Sequence, residues 1–248
     1  GMEYRQGGAQ VTIEEVNYDD CVRMAAAEAA ETKHGVVVQD TAWEDEEIPA
    51  WIMQGYGTMA NEAAEQLRQV GINRPTHVFV QAGVGSLAGA VIGYFTICFP
   101  TILHLRGDGA RAADCLYQGA WQGMEAEIVE GDLKTIMAGL ACGEPNILSW
   151  DILRNHVSAF VSCPDWVSAR GMRMLGVPVK GDPTVISGES GAVGMGLIAA
   201  LMETDEYQDL REAIGLDRFS QVLLFSTEGN TDPMKFRKVL WDGEYPTV

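Results

Sequence analysis

The stretch 76–89, THVFVQAGVGSLAG, sets the terms for the whole chain. Val78, Phe79 and Val80 are β-branched or aromatic, flanked by Thr76 and Ala82, and read as a buried strand. The run breaks at Gly83-Val84-Gly85-Ser86 and resumes as a small, apolar, helix-compatible segment from Leu87 to Ile92. A strand that empties through a glycine turn into a helix leaves several backbone N–H groups unpaired at the positive end of the helix dipole. That combination holds a phosphate. Glycine lets the backbone turn sharply and approach a ligand with no Cβ between them, and Ser86 adds a hydroxyl donor at the mouth of the helix. A tight βα turn with no ligand is the competing reading. GxGxxxG is not the dinucleotide GxGxxG, and no GK[ST] follows, so neither a dinucleotide nor a nucleoside triphosphate is favoured.

The rest of the chain alternates strand and helix patterns. Gln10 to Val16 alternates apolar and polar as a half-buried strand does. Asn17-Tyr18-Asp19-Asp20 then caps an alanine-rich helix running from Cys21 to Thr32, which Gly35 ends, and Val36-Val37-Val38 is a second strand. Residues 9–40 are therefore expected to form a βαβ unit. Apolar positions spaced by three and four from Pro49 to Val70 predict a core helix with proline in its first turn. Thr101 to Leu105 reads as a strand, and Asp132 to Cys142 as a helix closing at Gly143-Glu144-Pro145-Asn146. Further helices are expected over Trp150–Val157, Pro164–Leu175 and from Ser187 onward, with strands at Ala159–Ser162 and Gln221–Phe225. This alternation specifies an α/β fold, a three-layer parallel twisted sheet with helices on both faces.

Three further places invite a chemical reading. Asp40, in Asp40-Thr41-Ala42-Trp43, follows a predicted strand directly, where parallel sheets place functional residues. Burial would make such an aspartate a general base, whereas an Asx turn or cap is the bland alternative. Ser187-Gly188-Glu189-Ser190 opens a helix, and its serine and glutamate either cap that helix or face a bound cofactor. Ser226-Thr227-Glu228-Gly229-Asn230 ends the last strand and by itself is a strand-end turn. No metal site is expected, because His34, His77, His104 and His156 are dispersed, with no HxxxH and no cysteine pair at ligand spacing.

Composition narrows the partners. A net charge of −18 argues against nucleic acid and anionic membranes, both of which need basic patches. It does not argue against a phosphate held locally by backbone amides. No uninterrupted apolar run of about 18 residues appears, so no transmembrane helix is expected. Gly1-Met2-Glu3-Tyr4 lacks a charged n-region and an apolar h-region, so no signal peptide is expected, and Gly1 reads as a residue left by tag cleavage. Five scattered cysteines, never in CxxC, suit free thiols in a reducing cytoplasm.

Taken in order, DTAWEDEEIPAWIMQGYGTMANEA, THVFVQAGVGSLAG, TIMAGLACGEPN, SGESGAVG and FSTEGNTD carry a family resemblance from about Val16 to Trp241. The chain resembles the diaminopropionate ammonia-lyases, pyridoxal-phosphate (PLP) enzymes of the fold-type II group that includes tryptophan synthase β, threonine dehydratase and cysteine synthase. The resemblance implies a large PLP-binding domain over 41–248 and, in 9–40, a remnant of the small domain. It implies a homodimer acting on a small amino-acid substrate. Gly83, Val84, Gly85, Ser86 and Leu87 would hold the cofactor phosphate, and Asp40 would abstract the substrate α-proton. Ser226 would face the pyridine nitrogen. Glu189 is not carried over in this way and stays a candidate for cofactor contact beside its reading as a helix cap. Three departures touch this pattern, the first being four acids in a row, Glu44, Asp45, Glu46 and Glu47, read as a solvated loop. Thr227 and Glu228 replace the commoner glycines after Ser226, and Arg106-Gly107-Asp108-Gly109-Ala110-Arg111 stands where relatives have Glu-Pro after a strand.

The resemblance also implies a Schiff-base lysine and a carboxylate-binding loop in an N-terminal third that this chain is expected to lack. Lys33, Lys134, Lys180, Lys235 and Lys238 all fall outside the expected Phe-Lys context. Three readings follow: most of the large lobe of a β-eliminating ammonia-lyase, a non-catalytic remnant binding phosphate or a partner protein, or a small enzyme using one of its own lysines.

Overall fold

The computed structural model describes residues 5, 7–43, 46–98, 103–108 and 113–247. The chain divides into two compact units, Gly1–Val37 and Val38–Val248. Asp40 belongs to the second.

In the first unit one helix, α1 (Tyr18–Glu31), forms where the sequence predicts it. Asn17 caps it, its side chain accepting from the Asp20 N–H at 2.9 Å, and Asp19 and Asp20 stand in the first turn. The flanking strands expected at 10–16 and 36–38 do not form, so no βαβ unit exists among the described residues of 9–40. Alternation creates a strand only when a neighbour completes its ladder. Here Ile13, Val36 and Val38 remain exposed, at 83%, 66% and 75%.

The second unit is built on four parallel strands. These are β1 (His77–Phe79), β2 (Leu103–Asp108), β3 (Ala159–Ser162) and β4 (Val222–Leu224), in the order β3-β2-β1-β4. The register pairs Val78 with His104 and Leu223, and Arg106 with Phe160. Thr101 and the residues 109–111 of the departing segment lie outside the described residues.

Helices cover both faces. On one lie α2 (Glu47–Gln69), α3 (Ser86–Cys98), α4 (Cys115–Trp121) and α5 (Ile147–His156). On the other lie α6 (Asp165–Gly176), α7 (Glu189–Glu203) and α9 (Pro233–Leu240), with the short α8 (Gln208–Ala213) following α7. The period-two alternation of the strands produces this division. Val78, Val80, Phe160, Leu223 and Phe225 join a core with Ala60, Ile92, Phe95, Leu116 and Leu153. Phe79, Val161, Val222 and Leu224 join the opposite core with Met172, Val193, Leu197 and Val239. His77 is a buried core histidine whose Nε2 lies 2.8 Å from the Ile214 carbonyl oxygen.

Residues 132–142 do not form the expected α-helix. Only a short 3-10 turn, Ala138–Leu140, is present, and Leu133 has φ +48°. Thr135 breaks the pattern. Its hydroxyl donates to Asp165 at 2.6 Å and accepts from the Met137 N–H at 3.0 Å, while Ile136, Met137 and Leu140 all enter one core.

Candidate functional site

The candidate residues gather at the carboxyl ends of the parallel strands, the edge at which such sheets bind ligands. β1 runs through Val80 and Gln81 into the glycine loop and then α3. Neighbouring β4 runs into Phe225 and Ser226. The two ends are tied together by Gln81, whose Nε2 donates to the Thr227 hydroxyl at 2.9 Å.

Gly85 turns the loop with φ +106°, and a Cβ there would lie 2.6 Å from Ser149 Oγ. The first intrahelical bond of α3 runs from the Gly89 N–H to the Gly85 carbonyl at 2.7 Å, so the N–H groups of Ser86, Leu87 and Ala88 precede the ladder. Ser86 and Ala88 are buried, and no acidic residue stands in the first turn. A phosphate fits this helix head, which offers buried donors and no competing carboxylate.

Beside the loop, Asn146 organises three segments. It is fully buried. Its Nδ2 donates to the Asp40 carbonyl oxygen at 2.6 Å and to Ser86 Oγ at 3.0 Å. Its Oδ1 accepts from the Ser149 N–H at 2.9 Å, which caps α5, and its own N–H donates to the Val84 carbonyl at 2.9 Å. Ser86 donates its hydroxyl hydrogen to the same Asp40 carbonyl at 2.5 Å. That hydroxyl therefore joins the loop to Asp40, and an anion at the helix head would meet the Ser86 backbone N–H. Nearby, Trp43 Nε1 donates to Glu144 at 2.8 Å, joining the Asp40 segment to the Gly143–Asn146 turn.

The other flank is the head of α7. Gly139 faces it, accepting no methyl without approaching Ser190 Oγ to 3.1 Å, and its N–H donates to that oxygen at 3.2 Å. Gly83 meets the same segment, since a Cβ there would lie 3.0 Å from Cys142 Sγ and 3.3 Å from Leu140 Cα. Ser226 donates to Ser187 Oγ at 2.8 Å. Glu228, in the segment after β4, caps α7 directly, accepting the Ser190 N–H at 2.7 Å, while its carbonyl accepts the Gly188 N–H at 2.9 Å.

Glu189 is buried, and its Oε1 has no hydrogen-bond partner. Burial pushes its carboxyl above the usual range, with Glu228 and Asp232 adding to the rise. Its own backbone N–H and the Lys235 ammonium oppose it. Thr41 Oγ1, next to Asp40, is likewise buried and without a partner. Unsatisfied buried oxygens are uncommon, and a bound polar group is one thing that would complete them.

The structure thus joins Asp40 to Gly83–Leu87 through Ser86 and Asn146, and joins Ser226 to the residues that open α7. Sequence reading passed over three neighbours. Asn146 carried a signal, an asparagine immediately before an apolar helical run. Tyr56 was hidden in the apolar stripe of α2. Burial raises its pKa, and the negative charge of Asp40 raises it further. Glu228 stood out only as a departure from the family pattern. Among the described residues, no group of three or more His, Cys, Asp or Glu is placed to hold a metal ion.

Comparison with known proteins matches residues 2–210 to the family described as "Pyridoxal-phosphate dependent enzyme". The chain is 50% identical over 243 residues to diaminopropionate ammonia-lyase of Escherichia coli strain K12, covering 96% of this chain and 60% of the relative. The E. coli enzyme solved with an aminoacrylate-PLP azomethine reaction intermediate superposes with TM-score 0.89 at 46% identity, over 97% of this chain and 61% of that one. The E. coli enzyme in complex with D-serine superposes with TM-score 0.89 at 45% identity, over 98% and 61%. The chain thus spans about 60% of the length of the curated relatives it matches.

Proposed function

Because the chain belongs to the pyridoxal-phosphate dependent enzymes, we propose that it is the greater part of a diaminopropionate ammonia-lyase, with residues 9–40 a remnant of a smaller domain. The reaction is β-elimination and hydrolysis: 2,3-diaminopropionate and water give pyruvate and two ammonia. The observation that carries this reading is the 50% identity over 96% of the chain to an enzyme of that activity. A cytoplasmic homodimer is part of the same proposal. Five free cysteines support the reducing compartment.

The cofactor, when bound, supplies an electron sink for the carbanion left by removal of the α-proton. The chain's own residues do the rest. The N–H groups opening α3, from Ser86 onward, together with Gly83–Gly85, hold the phosphate. Asp40 takes the α-proton, and Asn146 and Ser86 hold its peptide in place. Ser226, whose hydroxyl donates to Ser187 Oγ, would turn that hydrogen to the ring nitrogen when the cofactor is bound. Glu189, in the first turn of α7 with Oε1 unpartnered, makes no cap there and would contact the cofactor.

A pyruvate-coupled assay with D- and L-diaminopropionate and added PLP tests the reading. It is run on this chain and on one lengthened at its N-terminus to match the curated relatives. The lengthened chain should turn over. The 248-residue chain should show no measurable rate, because Lys33, Lys134, Lys180, Lys235 and Lys238 all stand outside the Phe-Lys context expected of a Schiff-base lysine, and positioning of that kind contributes roughly 7–11 kcal/mol. Absence of pyruvate from the lengthened chain would count against the reading. Binding of PLP without turnover in either chain would favour a phosphate-binding remnant.

A further inference from the structure

We propose that Asn146 is a positioning residue that couples occupancy of the glycine loop to the placement of Asp40, an inference that rests on the phosphate-loop reading above. Both hydrogens of its amide are engaged, one by the Asp40 carbonyl at 2.6 Å and one by Ser86 Oγ at 3.0 Å. Ser86 closes the triangle by donating to the same carbonyl at 2.5 Å. The Asn146 N–H holds the Val84 carbonyl at 2.9 Å, so the side chain and backbone of one residue grip both ends of the turn 84–86.

Capping α5 requires only Oδ1. The two amide hydrogens point instead across 60 and 106 positions of sequence, to the head of α3 and to the segment that carries Asp40. Asn146 is 0% exposed and Ser86 1%. The triangle is therefore shielded from water that would otherwise substitute for its bonds, and it cannot be rearranged cheaply. An anion that draws the N–H groups of 86–88 toward itself must carry Ser86 and the Asp40 peptide with it. Loop occupancy would then order the base before the substrate's proton is presented.

Two substitutions separate this role from capping. Asn146→Asp keeps a side-chain oxygen for the Ser149 N–H and loses both amide donors. Asn146→Ser does the same without added charge. The readout is hydrogen exchange of the intact 248-residue chain with and without saturating inorganic phosphate.

In the unsubstituted chain, phosphate should slow exchange of the Thr41, Ala42 and Trp43 amides about tenfold, a typical coupling between linked sites. In both variants the slowing should fall below about twofold, while the amides of Ser149 and Trp150 exchange as before and report an intact cap. Equal slowing in the variants, or none in the unsubstituted chain while phosphate still protects 84–88, overturns the coupling and leaves the loop reading standing. Absence of protection at 84–88 itself overturns both. If neither variant folds, Ser86→Ala decides, since it removes one corner of the triangle with Asn146 unchanged. A reduced slowing carries the proposal, and the full effect overturns it.

Discussion

The glycine loop and the head of α7 face one cleft's worth of chemistry, yet they are built on opposite plans. Around the loop, the side chains of Asn146, Ser86 and Ser149 are used up, and what stays open is the row of N–H groups at 86–88 and Thr41 Oγ1. Asn146 makes six hydrogen bonds through its amide and backbone, and Ser86, Ser149 and Val84 are all committed to the same network. At the head of α7, capacity is held back. Glu189 is buried with Oε1 unpartnered, α7 borrows its cap from Glu228 after β4, and Ser226 is exposed. A saturated network is stiff and fixes geometry, whereas an unsatisfied one is costly until something completes it. The loop is thus a preformed scaffold, and the α7 head carries a buried carboxyl oxygen left incomplete.

If that contrast holds, substitutions at the scaffold should do the greater damage. Gly85→Val combines a side chain at φ +106° with a Cβ placed 2.6 Å from Ser149 Oγ. It should lower unfolding free energy by roughly 2–4 kcal/mol, from backbone strain and overpacking together. It should also abolish stabilisation by added phosphate in a thermal melt. A variant with unchanged stability would mean that the loop adjusts freely and is no scaffold.

Smaller effects belong to the other flank. Glu228→Ala removes the acceptor for the Ser190 N–H and should cost about 1 kcal/mol, the usual value of a helix cap. Glu228→Gln keeps an acceptor oxygen and should cost less than half as much. Urea unfolding distinguishes them. A loss as large as that of Gly85→Val would erase the contrast between the flanks.

What was readable beforehand follows the same division between local and distant causes. The strand Val78–Val80, the turn at Gly83–Gly85 and the helix after it are contiguous, so their residue types specify them. The helical stripe from Pro49 to Val70 was legible for the same reason and appears as α2 (Glu47–Gln69). By contrast, the strands expected at 10–16 and 36–38 needed partners that the pattern alone does not supply. The helix expected over 132–142 was overruled by Thr135, which binds Asp165 thirty positions away. The tie between Asp40, Ser86 and Asn146 is the clearest case. Each residue was visible, but separations of 46, 60 and 106 positions hide the triangle until the sheet brings them together.

The most discriminating test of the unsatisfied flank is also the gentlest. Burial, with help from Glu228 and Asp232, raises the Glu189 pKa against the pull of its own N–H and Lys235. The folded state therefore holds this proton more tightly than the unfolded chain does. Stability linked to the proton is complete below the unfolded value of about 4.3 and is lost as pH rises through the higher folded value. Glu189→Gln keeps the shape and removes the titration. Its advantage should be absent in acid, grow as pH rises above the unfolded value, and level off near 1 kcal/mol, the lower end of the cost of an unsatisfied buried group. Urea unfolding of both chains at a series of pH values reads the difference directly. A pH-independent difference, or one favouring the parent chain as pH rises, would show Glu189 ionised and satisfied by Lys235. The α7 head would then be as complete as the loop.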